Sequence, residues 1–146
     1  MLSSQRRILS TVKTKSYFLL LLLMAMGLPG CSITSTQGER RVIELPRNDP
    51  NATLATAQQI CADLIANGFA ADIQREFPDL TPAQMQGLFL SPNEGTFQNG
   101  PSVFILTGIS YTGSLPEAKA IADYCESAVR KAVAARFPST VLPPAK

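Results

Sequence analysis

The chain has no histidine. That absence removes Ser-His-Asp and Cys-His nucleophilic catalysis, which need an imidazole base beside the nucleophile. It also removes His-ligated metals. Three cysteines scattered at 31, 61 and 125 do not make the clustered four-ligand set of a structural zinc. No P-loop, dinucleotide fingerprint or G-x-S-x-G elbow is present. Past residue 30 the lysines are Lys119, Lys131 and Lys146, none three residues after a serine. The cations form only isolated pairs, Arg40-Arg41 and Arg130-Lys131, so nothing offers the clustered charge that neutralises nucleic-acid phosphates. Two carboxylate pairs remain, Asp72 with Glu76 and Asp123 with Glu126, each about one helical turn apart. With Arg75 and Arg130 nearby, both read as solvated helix surface. Neither enzymatic activity, nor a cofactor or metal, nor nucleic-acid binding is expected.

Long apolar runs are also missing, with one short exception. Residues 17–28 read YFLLLLLMAMGL and carry no charge. A membrane-spanning helix needs about 20 apolar residues. Residues 1–16 supply Arg6, Arg7, Lys13 and Lys15 and no acid. A basic start followed by a short apolar core is the layout of a secretory signal peptide. Gln5-Arg6-Arg7-Ile8-Leu9 is a partial twin-arginine match, separated from the apolar core by Thr11 to Ser16, so general secretion is the expected route.

The run closes on Leu28-Pro29-Gly30-Cys31. This resembles the lipobox of bacterial lipoproteins, over about the first 32 residues. The resemblance implies a diacylglycerol on the Cys31 sulfur, cleavage just before it, and an acylated new N-terminus. Pro29 departs from the small residues usual at its position. Ser32, rather than Asp, is similar to lipoproteins of the outer membrane, implying its inner leaflet, facing the periplasm. Lipid anchoring holds a folded domain at a membrane without a spanning helix, and two or more acyl chains make it stable. The terminal Ala145-Lys146 is similar to the end of the major outer-membrane lipoprotein, whose last lysine is joined to peptidoglycan. The helical body of that family is absent, so a peptidoglycan link through Lys146 is not expected.

Removing residues 1–30 leaves 116 residues with nine Lys/Arg against eleven Asp/Glu, a net charge of about −2. One modest domain fits that length. With Cys31 taken by lipid, Cys61 and Cys125 form an even pair in an oxidising compartment, and a disulfide between them is expected. It would close a loop of about 65 residues and contribute about 4 kcal/mol in the chain-entropy description. The alternative is two buried free thiols.

Residues 32–50 are polar without a helical stripe and read as a linker, with a short strand conceivable at 42–45. Leu54, Ala57, Cys61, Leu64, Ile65 and Gly68 then step at three and four, predicting a helix from near Asp49-Pro50-Asn51. Asn67-Gly68 is a stop signal, and Phe69, Ile73 and Phe77 continue at fours. Asn51-Ala52-Thr53 matches a glycosylation sequon but suits a helix start. Thr81-Pro82-Ala83-Gln84 predicts a capping box and a short helix to about Leu88. Residues 91–101 are turn formers, with Asn99-Gly100 a hairpin signal weakened by Pro101. Residues 103–111 are β-branched and aromatic and predict a strand, apolar at both parities, so both of its faces are expected to be at least partly covered. Its partners are expected from residues 95–98, from 42–45, or from another chain. Ser114-Leu115-Pro116-Glu117 predicts a second capping box, ahead of a helix carrying Cys125 and ending at Pro138.

The expected architecture is α+β: about three helices on a small sheet, stapled by one disulfide. Its parts are a signal peptide (1–30), a lipidated start and linker (31–50), the domain (51–138) and a flexible tail (139–146). The expected function is that of a lipid-anchored structural or accessory protein docking on another envelope protein or assembly. The alternative is a ligand-binding or inhibitor module working through residues 89–101. Phe89, Phe97 and Phe104 would line its pocket, although such residues more often form core.

Overall fold

The computed structural model describes residues 35–139 and 142. The expected signal peptide, the lipobox-like residues Leu28, Pro29, Gly30 and Cys31, and Lys146 lie outside the described residues. The fold is α+β, with four helices and a four-stranded antiparallel sheet among the described residues.

The expected strand is the centre of the sheet. It spans Ser102–Thr112 and is called β4 in chain order. One side pairs throughout with β1 (Thr36–Glu44), from Thr36 opposite Thr112 to Glu44 opposite Phe104. Its other side is shared end to end by β2 (Leu88–Leu90) and β3 (Thr96–Asn99). Residues 91–95 loop out between those two short strands, and the Gly95 carbonyl still accepts from the Leu106 N–H at 2.7 Å. β3 and β4 form a hairpin, with Asn99 opposite Ser102. Gly100 takes φ 58° in its two-residue loop, and Pro101 follows it without breaking the turn.

β1 replaces residues 36–44 of the expected linker, and it bears out the strand at 42–45 as a partner of 103–111 while extending it back to Thr36. Strand alternation was masked because its inward positions are Glu39, Arg41 and Ile43, of which only Ile43 is apolar. The strand forms because Arg41 finds carboxylates on the last helix, as shown below.

Thr53 caps α1 (Leu54–Ala66), accepting the Thr56 N–H. This is later than the start expected near residue 49. Gly68, at φ 88°, ends α1 and opens α2 (Phe69–Glu76), a left-handed conformation that disfavours other residues. α2 buries Phe69 and Ile73, four apart on one face. α3 (Pro82–Met85) has the expected box: Thr81 accepts the Gln84 N–H, and the Gln84 side chain accepts the Thr81 N–H. The second box does not form. Leu115 is buried, and its carbonyl takes the Ala118 N–H in a tight turn. α4 (Ala118–Arg136) therefore starts after Glu117 with no side-chain cap bond.

α4 packs against β1 and β4, and α1 packs against α4, β3 and β4. All the buried apolar packing lies on this inner side of the sheet. One cluster gathers Ile60, Cys61, Ile105, Val129, Val133 and Phe137. A second gathers Phe69, Ile73, Ile109, Ile121 and Cys125. The expected disulfide is thereby corrected: Cys61 and Cys125 are free, buried thiols, one in each cluster. Both lie on the apolar stripes of their helices. Cys61 shares its cluster with Val129 and Val133, whereas Cys125 shares the other with Phe69 and Ile73 of α2.

Candidate functional site

Neighbouring residues of a strand point to opposite sides of a sheet. Arg40 and Arg41 are therefore sent to different environments. Arg41 enters the inner side and meets α4. Its Nε and Nη2 donate to Asp123 Oδ1 at 3.1 and 2.7 Å, and Nη1 donates to Glu39 Oε2 at 3.2 Å. Glu126 Oε2 lies 3.5 Å from its Nε. Arg130 Nε donates to Glu126 Oε1 at 2.7 Å, and Lys119 Nζ to Asp123 Oδ2 at 2.9 Å. Glu126 is buried, which corrects its reading as solvated surface. Hydrogen bonds from Lys119 and then Arg41 hold the Asp123 carboxyl below its usual range. The bond to Asp123 in turn raises the Arg41 guanidinium, against the opposing effect of burial. Every charge here has a partner, so the network fastens β1 to α4.

Burial pushes Cys61 and Cys125 up to about 11, so both stay protonated at neutral pH. The Thr107 hydroxyl lies near enough to Cys125 to oppose part of that rise. Thr107 Oγ1 is wholly buried at this position. Among the described residues, no group of three or more Cys, Asp or Glu is placed to hold a metal ion. The other expected pair, Asp72 and Glu76, lies on α2, with Asp72 bound to the exposed Arg75 at 2.9 Å.

A cleft of about 230 Å³ opens where α2 and α3 meet the start of α4. Phe77, Leu80 and Leu115 make its apolar floor, and Glu76, Asp79 and Glu117 supply carboxylates without a lining cation. Tyr124 meets Phe77 edge-on, with ring centroids 6.0 Å apart.

The outer side of the sheet is different in kind. Register places Val42 beside Leu106, Phe104 beside Phe97, and Phe89 beside Gly108. None of these residues belongs to either buried cluster. Val42 is 50% exposed and Phe97 42%. Phe97 and Phe104 stack at 5.1 Å with planes 19° apart. Gly108 separates Arg40 from Phe89 on the two neighbouring strands. With no side chain between them, the guanidinium reaches over the ring, 5.7 Å from its centroid. A Cβ at Gly108 would fall on the Glu39 carbonyl oxygen, and its φ of 140° suits glycine alone.

This face corrects two expectations. Phe89, Phe97 and Phe104 are not core. The expectation that both faces of 103–111 are covered holds on the helix side, and among the described residues no element covers the other. An antiparallel sheet facing water on one side usually turns polar residues outward there. Here the centre of the outward row is Phe104 and Leu106. The signal was present as apolar residues at both parities of β4, but the same pattern describes a strand buried on both sides. Compared with known proteins, the chain matches no protein-family model, no curated protein and no solved structure.

Proposed function

We propose that the chain is a bacterial lipoprotein of structural or accessory type, acylated at Cys31 and held at the outer membrane facing the periplasm. Its folded part docks on another envelope protein or assembly. The observation that carries this reading is Leu28-Pro29-Gly30-Cys31, closing a short apolar run behind a basic start. The position of β1 supports it. Only residues 32–35 separate Cys31 from the first strand residue, Thr36, so the folded part begins almost at the anchor. Metabolic labelling with an alkyne fatty acid tests the reading. The wild-type chain should take up label, and Cys31→Ser should abolish it and leave an unprocessed precursor. An unlabelled wild type, or normal processing of the variant, overturns the proposal. In vivo crosslinking then tests docking, with stable envelope partners as the expected outcome.

A second reading, a periplasm-facing ligand-binding or inhibitor module, is favoured by one observation: the stacked Phe97–Phe104 pair stands open. In that case a soluble target or small ligand, rather than an envelope assembly, would be recovered.

A further inference from the structure

We propose that the outer side of the sheet lies on the membrane surface, with Val42, Phe89, Phe97, Phe104 and Leu106 against the lipid. The inference rests on the lipid anchor at Cys31 and adds how the domain sits on it.

Three observations carry it. The first is reach. Five residue steps from Cys31 to Thr36 span at most about 18 Å when fully extended. Thr36 is therefore tied close to the headgroups. Val42 lies six residues further along β1, about 20 Å away at strand rise. An upright strand would lift Val42 clear of the bilayer and leave the apolar row in water. A strand lying flat puts the whole row at the surface within the same tether.

The second observation is composition. Interfacial binding takes a contiguous apolar face with aromatic residues and peripheral cations. The outer side has three phenylalanines, a valine and a leucine, with Arg40 drawn over Phe89. A contiguous apolar patch on a small domain marks a contact surface.

The third is charge. From residue 35 to 139 the chain has eight Lys/Arg against eleven Asp/Glu, an acidic balance that anionic headgroups repel. The outer side does not share it. Its strand-borne ions are Arg40 and Glu44, and Glu44 accepts from Arg47 Nε at 2.7 Å. Glu94, in the loop at the sheet edge, is the nearest further carboxylate in sequence. Asp63, Asp72, Glu76, Asp123 and Glu126 are on the helices of the opposite side, where Arg75, Lys119, Arg130, Lys131 and Arg136 balance them. The outer side is thus close to neutral and does not oppose anionic headgroups.

The test uses the full acylated chain in vesicles of phosphatidylethanolamine and phosphatidylglycerol. A cysteine introduced by Val42→Cys or Phe97→Cys carries a fluorescent probe, and Lys131→Cys on α4 is the control. All three positions are exposed, and the native Cys61 and Cys125 are buried and do not compete for label. Bromine-bearing lipids quench probes near the headgroup–acyl boundary, where an interfacial face sits. The probes at 42 and 97 should be quenched at least about twofold more than the probe at 131. Equal quenching at all three positions in acylated, vesicle-bound protein overturns the lipid-facing side and leaves the anchor standing. Unquenched probes at 42 and 97 that crosslink to a second copy or another protein also overturn it and give the face to that protein. A chain that takes up no acyl label overturns the anchor, and the inference with it.

Discussion

The two sides of the sheet are built from the same three lines of backbone and meet opposite surroundings. On the inner side Ile43, Ile105 and Ile109 are buried, and Arg41 of β1 is held by partners on α4. On the outer side apolar residues are left half-open, and its one cation–ring contact lies at the surface. A single-residue step decides which environment a side chain meets. Arg40 and Arg41 show it most directly: the first covers a phenylalanine, and the second anchors a strand to a helix. The inner side is where stability resides. The outer side is where a surface is presented.

The contrast breaks if the outer residues prove as costly to remove as the inner ones. Ile105→Ala empties a fully buried position and should destabilise the fold by about 3 kcal/mol. Phe97→Ser should change stability by no more than about 0.5–1 kcal/mol. Urea unfolding of the two variants side by side measures this, and equal losses would mean that the outer side is packed.

The arginines sharpen the same contrast at smaller magnitude. Arg41→Met removes one of the two cations paired to the buried Glu126. The expected loss is about 2 kcal/mol, less than the 3–5 kcal/mol of a fully buried pair because Arg130 stays. Arg40→Ala removes only the exposed ring contact and should cost about 0.5–1 kcal/mol. Thermal unfolding of both variants at low and moderate salt is the check.

The last expected effect is silent at neutral pH and concerns the thiols. Their proton affinity is higher in the folded state, about 11 against an ordinary value of 9.0. Between those values the unfolded chain has released protons that the folded chain still holds, so stability falls as pH rises from 9 to 11. Cys61→Ala and Cys125→Ala should each flatten that decline in a pH series of unfolding midpoints. In the native wild type at pH 8, a thiol reagent should find neither sulfur, and denaturant should expose both.

What the sequence made legible follows from how local each signal is. The Thr81 box lies within four residues and formed as read. The β4 strand rests on an uninterrupted β-branched and aromatic run, and α4 rests on a stripe sustained over five turns. Of β1 only the end at 42–45 was legible, because further back its inward Arg41 is neutralised by residues 82 and 85 positions away. No local window contains that pairing. The Cys61–Cys125 pairing failed for a related reason: a helical stripe fixes which way a side chain points and leaves its height against a neighbouring helix undetermined. The lipobox-like motif is local, and the proposed anchor rests on its own residues. The candidate surface was visible only as a strand apolar at both parities, and which side stays open depends on where the helices land.

The chain upstream of Thr36 leads straight into β1, and this makes the sheet a load path. Tension arriving from that direction acts first on the Thr36–Thr112 end, where strand pairs open one after another. Peeling would pass Gly38, Glu39 and Arg40 before meeting Arg41, whose grip on Asp123 and Glu126 ties the strand to the longest helix. That cluster acts as a mechanical stop: the first turn of the zipper is free to give, and the rest is bolted to the body of the domain.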